Sequence, residues 1–153
     1  MKDSRRWLAA AALLFCAGAG ACRSSPPTPS PSAPPPSFRA DVEPVLARFC
    51  ASAEGCHGDH PTHSVRLDLR PGHAHRDLVL APAKTRTGAI RVVPGDPSRS
   101  YLLDKLRGTL ATGEGKAMPL DAETGAPLEA NPLPAGLVEH ALQGWIARGA
   151  PAD

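Results

Sequence analysis

Apolar positions recur in this chain at helical spacing in three places, and nowhere do they alternate with period two over a useful length. Val42, Val45, Leu46 and Phe49 follow Asp41, a side chain suited to capping a helix start, and Pro44 falls in the first turn, where a missing N–H costs little. A second helix is predicted from Pro97, after Asp96 as its cap, with Tyr101, Leu102, Leu103 and Leu106 on it. The third is predicted from about Pro134 to Arg148, carrying Leu137, Val138, Ala141, Leu142, Trp145 and Ile146; Gly149 and Pro151 stop it. The pattern is that of a mainly α domain with long loops between its helices.

A different pattern opens the chain. Lys2, Arg5 and Arg6 precede a run from Trp7 to Ala21 rich in Ala and Leu, which is shorter than the about 20 apolar residues a membrane-crossing helix needs. Residues 1–21 therefore read as an export signal. Ala19-Gly20-Ala21 before Cys22 resembles the cleavage point of bacterial lipoproteins, which implies lipidation of Cys22. The same Ala19-x-Ala21 also suits ordinary signal peptidase, and an uncleaved anchor is the third reading. Seven of the eleven residues from Pro26 to Pro36 are proline. Residues 22–37 thus form a Pro/Ser-rich linker, extended at ~3.1 Å per residue, that suits a tether. The domain is expected at 38–153. These segments together point to the cell envelope, on the periplasmic side, with a lipid anchor holding the protein to a membrane.

Of 17 basic and 15 acidic residues, Lys2, Arg5, Arg6 and Asp3 fall in the signal, so the chain after residue 21 is balanced in formal charge. No basic patch calls for nucleic acid. The expected folded part has only Phe38, Phe49, Tyr101 and Trp145 as aromatics and many Gly/Pro loops. A domain so small and loop-rich struggles to bury enough apolar surface unaided, so a cofactor, metal or disulfide is expected in its middle.

Cysteine placement narrows that choice. Cys16 lies in the signal and Cys22 is the lipidation candidate, leaving Cys50 and Cys56 in the domain, with His57 directly after the second. A Cys…Cys-His array after a helix suits covalent haem: two thiols for the vinyl groups, and an imidazole for the iron. Five residues, 51–55, separate the cysteines instead of the usual two, and they must loop out, with Gly55 lending freedom. Two other readings stand beside it. Cys50 and Cys56 can form a disulfide in an oxidising compartment, or join His57, with His60, His63, His73 or His75, in a zinc or copper site. Met118, the one methionine left after the signal, sits in a Gly-rich loop before Pro119, ahead of the last helix, where a weak sixth ligand to iron would lie. His60, His63, His73 and His75 occupy a polar loop and are expected at the solvated surface, as is His140. No Ser-His-Asp order, paired carboxylates or phosphate-cradling glycine loop stands out.

Several short pieces share an order. They are Val42-Glu43-Pro44-Val45-Leu46, Cys50…Cys56-His57-Gly58, Arg66-Leu67-Asp68-Leu69, Val93-Pro94-Gly95-Asp96-Pro97 with Ser100-Tyr101-Leu102-Leu103, then Met118-Pro119, and Gly144-Trp145-Ile146-Ala147-Arg148-Gly149-Ala150. In this order they resemble class I c-type cytochromes, close to the planctomycete-type cytochrome c module of exported bacterial proteins. The resemblance spans nearly the whole domain. It implies one covalent haem c on Cys50 and Cys56, with His57 as proximal and Met118 as distal axial ligand. It also implies crossing first and last helices, with Phe49 or Leu46 near Trp145. Iron with both axial positions filled has no place for substrate, so the expected role is single-electron transfer between redox partner proteins, not catalysis. The alternatives are a haem-free envelope module, disulfide-stapled or binding copper or zinc, and the electron-accepting subunit of a larger oxidoreductase.

Overall fold

A computed structural model describes residues 34–51, 56–59, 66–121, 123–128 and 132–153. The chain divides into residues 1–32 and 33–153, and every described residue belongs to the second unit. The expected signal at 1–21, Cys22, His60 and His63 lie outside the described residues.

The fold is helical, and among the described residues it has no strand, only isolated bridges. The first helix begins earlier than its pattern suggests. A π-helical turn, Phe38–Val42, runs directly into α1, Glu43–Cys50. Ser37 is the cap: its side chain accepts from the Ala40 N–H at 3.1 Å, while Asp41 reaches back to accept from the Ser37 N–H at 2.7 Å. Asp41 is thus the second half of a reciprocal cap, not the start. Pro44 explains the wide turn. It has no N–H for the Ala40 carbonyl, so the backbone opens and the Glu43 N–H donates to Phe38 instead. Phe38, Val42 and Leu46, four residues apart, form the buried stripe.

A short helix that the sequence pattern did not announce, α2, Ala74–Leu78, buries Ala74 and Leu78. Asp96 caps a 3₁₀ turn, Pro97–Arg99, by accepting from the Arg99 N–H at 3.2 Å, and α3, Tyr101–Arg107, comes directly after. The last helix has two parts, a π-helical stretch at Leu137–Leu142 and α4, Gln143–Ala147. It starts three residues after Pro134.

The two terminal segments pack on each other. Phe38, Val42, Leu142, Trp145 and Ile146 are buried together. The Trp145 ring lies against Phe38 at 5.0 Å between centroids, and its Nε1 donates to the Pro151 carbonyl at 2.8 Å. The expected helix crossing places Phe38, not Phe49, as the aromatic partner of Trp145. Leu46 joins the same core and also lines a cavity, to whose wall Phe49 contributes. Residues assigned to the linker also belong to this packing. Arg148 donates to the Pro36 carbonyl at 2.7 Å, and Gly144 admits the Pro36 ring, since a Cβ there would sit 3.1 Å from its Cγ. No helix among the described residues is long and apolar enough to cross a membrane.

Candidate functional site

α1 ends at Cys50, and the chain then returns through Cys56 and His57 against the base of that helix. The His57 N–H donates to the Cys50 carbonyl at 2.9 Å, and the His57 carbonyl accepts from Leu69 at 2.7 Å. Gly58 is buried where a Cβ would lie 2.9 Å from the Ala51 carbonyl oxygen, so this return admits only glycine. His57 is thereby fixed at both its backbone groups, with its Nδ1 buried.

On the other side, α3 carries the loop that comes after it. The Met118 N–H donates to the Lys105 carbonyl at 2.9 Å, and the chain turns back on itself so that Asp121 donates to Ala126 at 2.8 Å and Leu128 to Pro119 at 3.3 Å. Met118 is half-buried and packs against the core.

Between the two sides lies a cavity of about 650 Å³, and Cys50, Cys56, His57 and Met118 all line it. That volume is in the ~300–1,000 Å³ range of small-molecule and cofactor pockets. The rest of the wall is largely apolar, with Leu46, Phe49, Leu67, Leu69, Leu78 and Leu106 prominent. Tyr101, Arg91, Lys84, Lys105 and Lys116 add polar atoms at its margin. The donor set and the wall fit a large flat apolar cofactor: two thiols, an imidazole and a thioether converge on one greasy space.

Cys50 and Cys56 are free thiols in this structure. Burial, with a lesser push from Cys56, raises the Cys50 thiol to about 11, so at neutral pH it is protonated. Among the described residues no group of three or more His, Cys, Asp and Glu could hold a metal ion. Arg91, half-buried at the margin, has its basicity lowered by burial, while its guanidinium donates to the Asp77 carbonyl at 2.7 Å.

The remaining described histidines stand apart from the cavity. His73 is half-exposed, 3.6 Å from Asp68. His140 is exposed. His75 departs from the expectation of a solvated loop residue: it sits on α2, its Nε2 lies 2.8 Å from the Ala150 carbonyl, and its ring meets Phe38 edge-on at 5.2 Å. It belongs to the terminal core. A helix of five residues leaves too short a periodic trace to reveal that packing.

The sequence pattern also passed over the network behind Met118. Arg86 donates to Glu114 through Nε at 2.5 Å and Nη2 at 2.6 Å, and to Asp104 through Nη1 at 2.6 Å. Glu114 is consequently held well below its ordinary range, at about 2, first by the Arg86 hydrogen bonds. Isolated loop charges carry no motif, so only the folded arrangement reveals them.

No protein-family model, curated protein or solved structure matches the chain.

Proposed function

We propose that this protein is a monohaem c-type cytochrome that carries single electrons at the cell envelope. The observation that carries the proposal is the convergence of Cys50, Cys56, His57 and Met118 on one apolar cavity of about 650 Å³. Random placement of the chain's last methionine opposite its Cys-His pair would have no reason to give this.

When bound, haem supplies a one-electron iron couple. Cys50 and Cys56 would hold it by thioether bonds, each S–H adding across a vinyl group so that sulfur bonds one carbon and hydrogen the other. His57, its backbone tied to Cys50 and Leu69, would present its imidazole with little freedom to swing. Met118 would supply a weak thioether ligand, which raises the reduction potential. Leu46, Leu69 and Leu78 would exclude water from one side, and a low local dielectric likewise disfavours the more highly charged oxidised state. With His57 and Met118 both engaged, no position is left for substrate, so the role is transfer between redox partner proteins. Lipidation of Cys22 and the Pro/Ser-rich segment would tether the domain to a membrane; this part of the proposal rests on sequence.

The experiment is pyridine haemochrome absorbance and peptide mass spectrometry on protein matured in an export-competent host. Haem mass on the peptide carrying Cys50 and Cys56 is expected. Sulfurs found free or bridged to each other would end the proposal, and bound copper or zinc without a Soret band would replace it.

A further inference from the structure

The loop that presents Met118 is rich in glycine. Gly113 and Gly115 both lie at positive φ, +90° and +83°, and glycine there carries a large conformational entropy into the unfolded chain. Nothing in the segment's own sequence would hold a thioether at a defined point in the cavity. What holds it is a set of bonds to α3 and to Arg86, and Arg86 itself lies outside the cavity lining.

We propose that Arg86 is a positioning residue for Met118, acting through Glu114. The proposal rests on the haem reading of the cavity. The Arg86 fork grips both carboxylate oxygens of Glu114 and, with its remaining nitrogen, Asp104 on α3. Its guanidinium carbon lies 4.4 Å from the centroid of the Tyr101 ring, whose own hydroxyl donates to the Glu114 carbonyl at 2.9 Å. Lys105 adds its ammonium to the Glu114 and Lys116 carbonyls, at 2.8 and 3.0 Å, and its carbonyl receives the Met118 N–H. The loop is thus stapled to α3 at 114, 116 and 118, and the Arg86 fork is the staple that closes its far end. A planar guanidinium satisfies two carboxylates at once in a fixed geometry; an ammonium is a point charge and does not.

The test compares Arg86→Lys with Arg107→Lys. Arg107 is a matched control: its guanidinium binds Glu139 and Gln143, both at 3.0 Å, away from the methionine loop. Imidazole binding to the ferric protein reads the fraction of molecules in which Met118 has left the iron, because apparent affinity scales with the competent fraction. In Arg86→Lys it should rise about tenfold, with loss of the methionine-to-iron charge-transfer band, while the control stays within about twofold. Haem content by pyridine haemochrome should match the parent in both. An Arg86→Lys affinity within about threefold of the control overturns the proposal, and a larger rise supports it. Should Arg86→Lys not fold, Glu114→Gln removes the carboxylate that the fork grips and is judged by the same threshold. Parent protein without covalent haem would instead refute the haem reading. In that event the staple itself is judged by hydrogen exchange: the Met118 amide should exchange faster in Arg86→Lys than in Arg107→Lys, and equal rates overturn it.

Discussion

A cleft of about 650 Å³ walled largely by apolar side chains leaves that surface against water unless something occupies it. Were it a sealed, rigid void, about 24 cal/mol per Å³ would set a ceiling of ~16 kcal/mol on its cost; its open mouth admits water and brings the cost well below that. Whole domains are stable by only ~5–15 kcal/mol. With nothing in it, the cleft is expected to collapse in part or to hold water against its leucines. Take Cys50→Ala/Cys56→Ala, produced without haem. The terminal core of Phe38, Leu142, Trp145 and Ile146 does not border the cavity and should persist, so far-UV dichroism stays helical. Near-UV dichroism should weaken and an apolar dye should bind, as in loosely packed states. Hydrogen exchange gives residue-level resolution. The amides of His57, Leu69 and Met118, bonded across the cavity walls, should lose protection, while Ala150, bonded to the Trp145 carbonyl at 3.0 Å, keeps it. If Leu69 and Met118 are protected as strongly as Ala150, and the variant melts as sharply as the loaded protein, the cavity does not depend on an occupant and the reasoning fails.

Other outcomes rest on single features. Trp145→Ala removes a fully buried side chain and should cost about 3–5 kcal/mol in urea unfolding; a loss under about 1 kcal/mol would show that the terminal helices are not the main core. Ser37→Ala deletes the cap and should cost about 1 kcal/mol, measured the same way. Asp68, bonded first of all by Arg70, and Glu114, bonded by Arg86, are both held at about 2, below their unfolded values. Their contribution is fully present above the unfolded pKa values and disappears as pH falls towards 2. Urea midpoints should therefore drop on acidification through that window, and less steeply in Asp68→Asn/Glu114→Gln; parallel curves would contradict this. In haem-free protein that keeps its fold, Cys50, raised to about 11 mainly by burial, should alkylate near pH 8 at least about tenfold more slowly than an exposed thiol.

Sequence by itself determined the helical class, the three long amphipathic segments, and the residues worth watching. A helix longer than two turns prints its buried face as a period, and a cysteine pair followed by histidine is local chemistry that survives without coordinates. The expectations of an export signal, of lipidation at Cys22 and of a linker before residue 34 fall outside the described residues and rest on sequence alone. Only the tertiary structure decided that Ser37 rather than Asp41 caps the first helix, because a cap depends on backbone direction as well as side-chain type. Only it showed that Pro36 belongs to the fold, and that Phe38, not Phe49, meets Trp145. His75, half-buried, is held by residues from both ends of the chain, and Arg86 is joined to Glu114 across a loop. Such partners are remote in sequence and are chosen by packing, so no local pattern announces them. The same holds for the cavity. Cys50, Cys56, His57 and Met118 are visible one at a time in the string of letters, but their convergence on a single apolar space belongs to the folded chain.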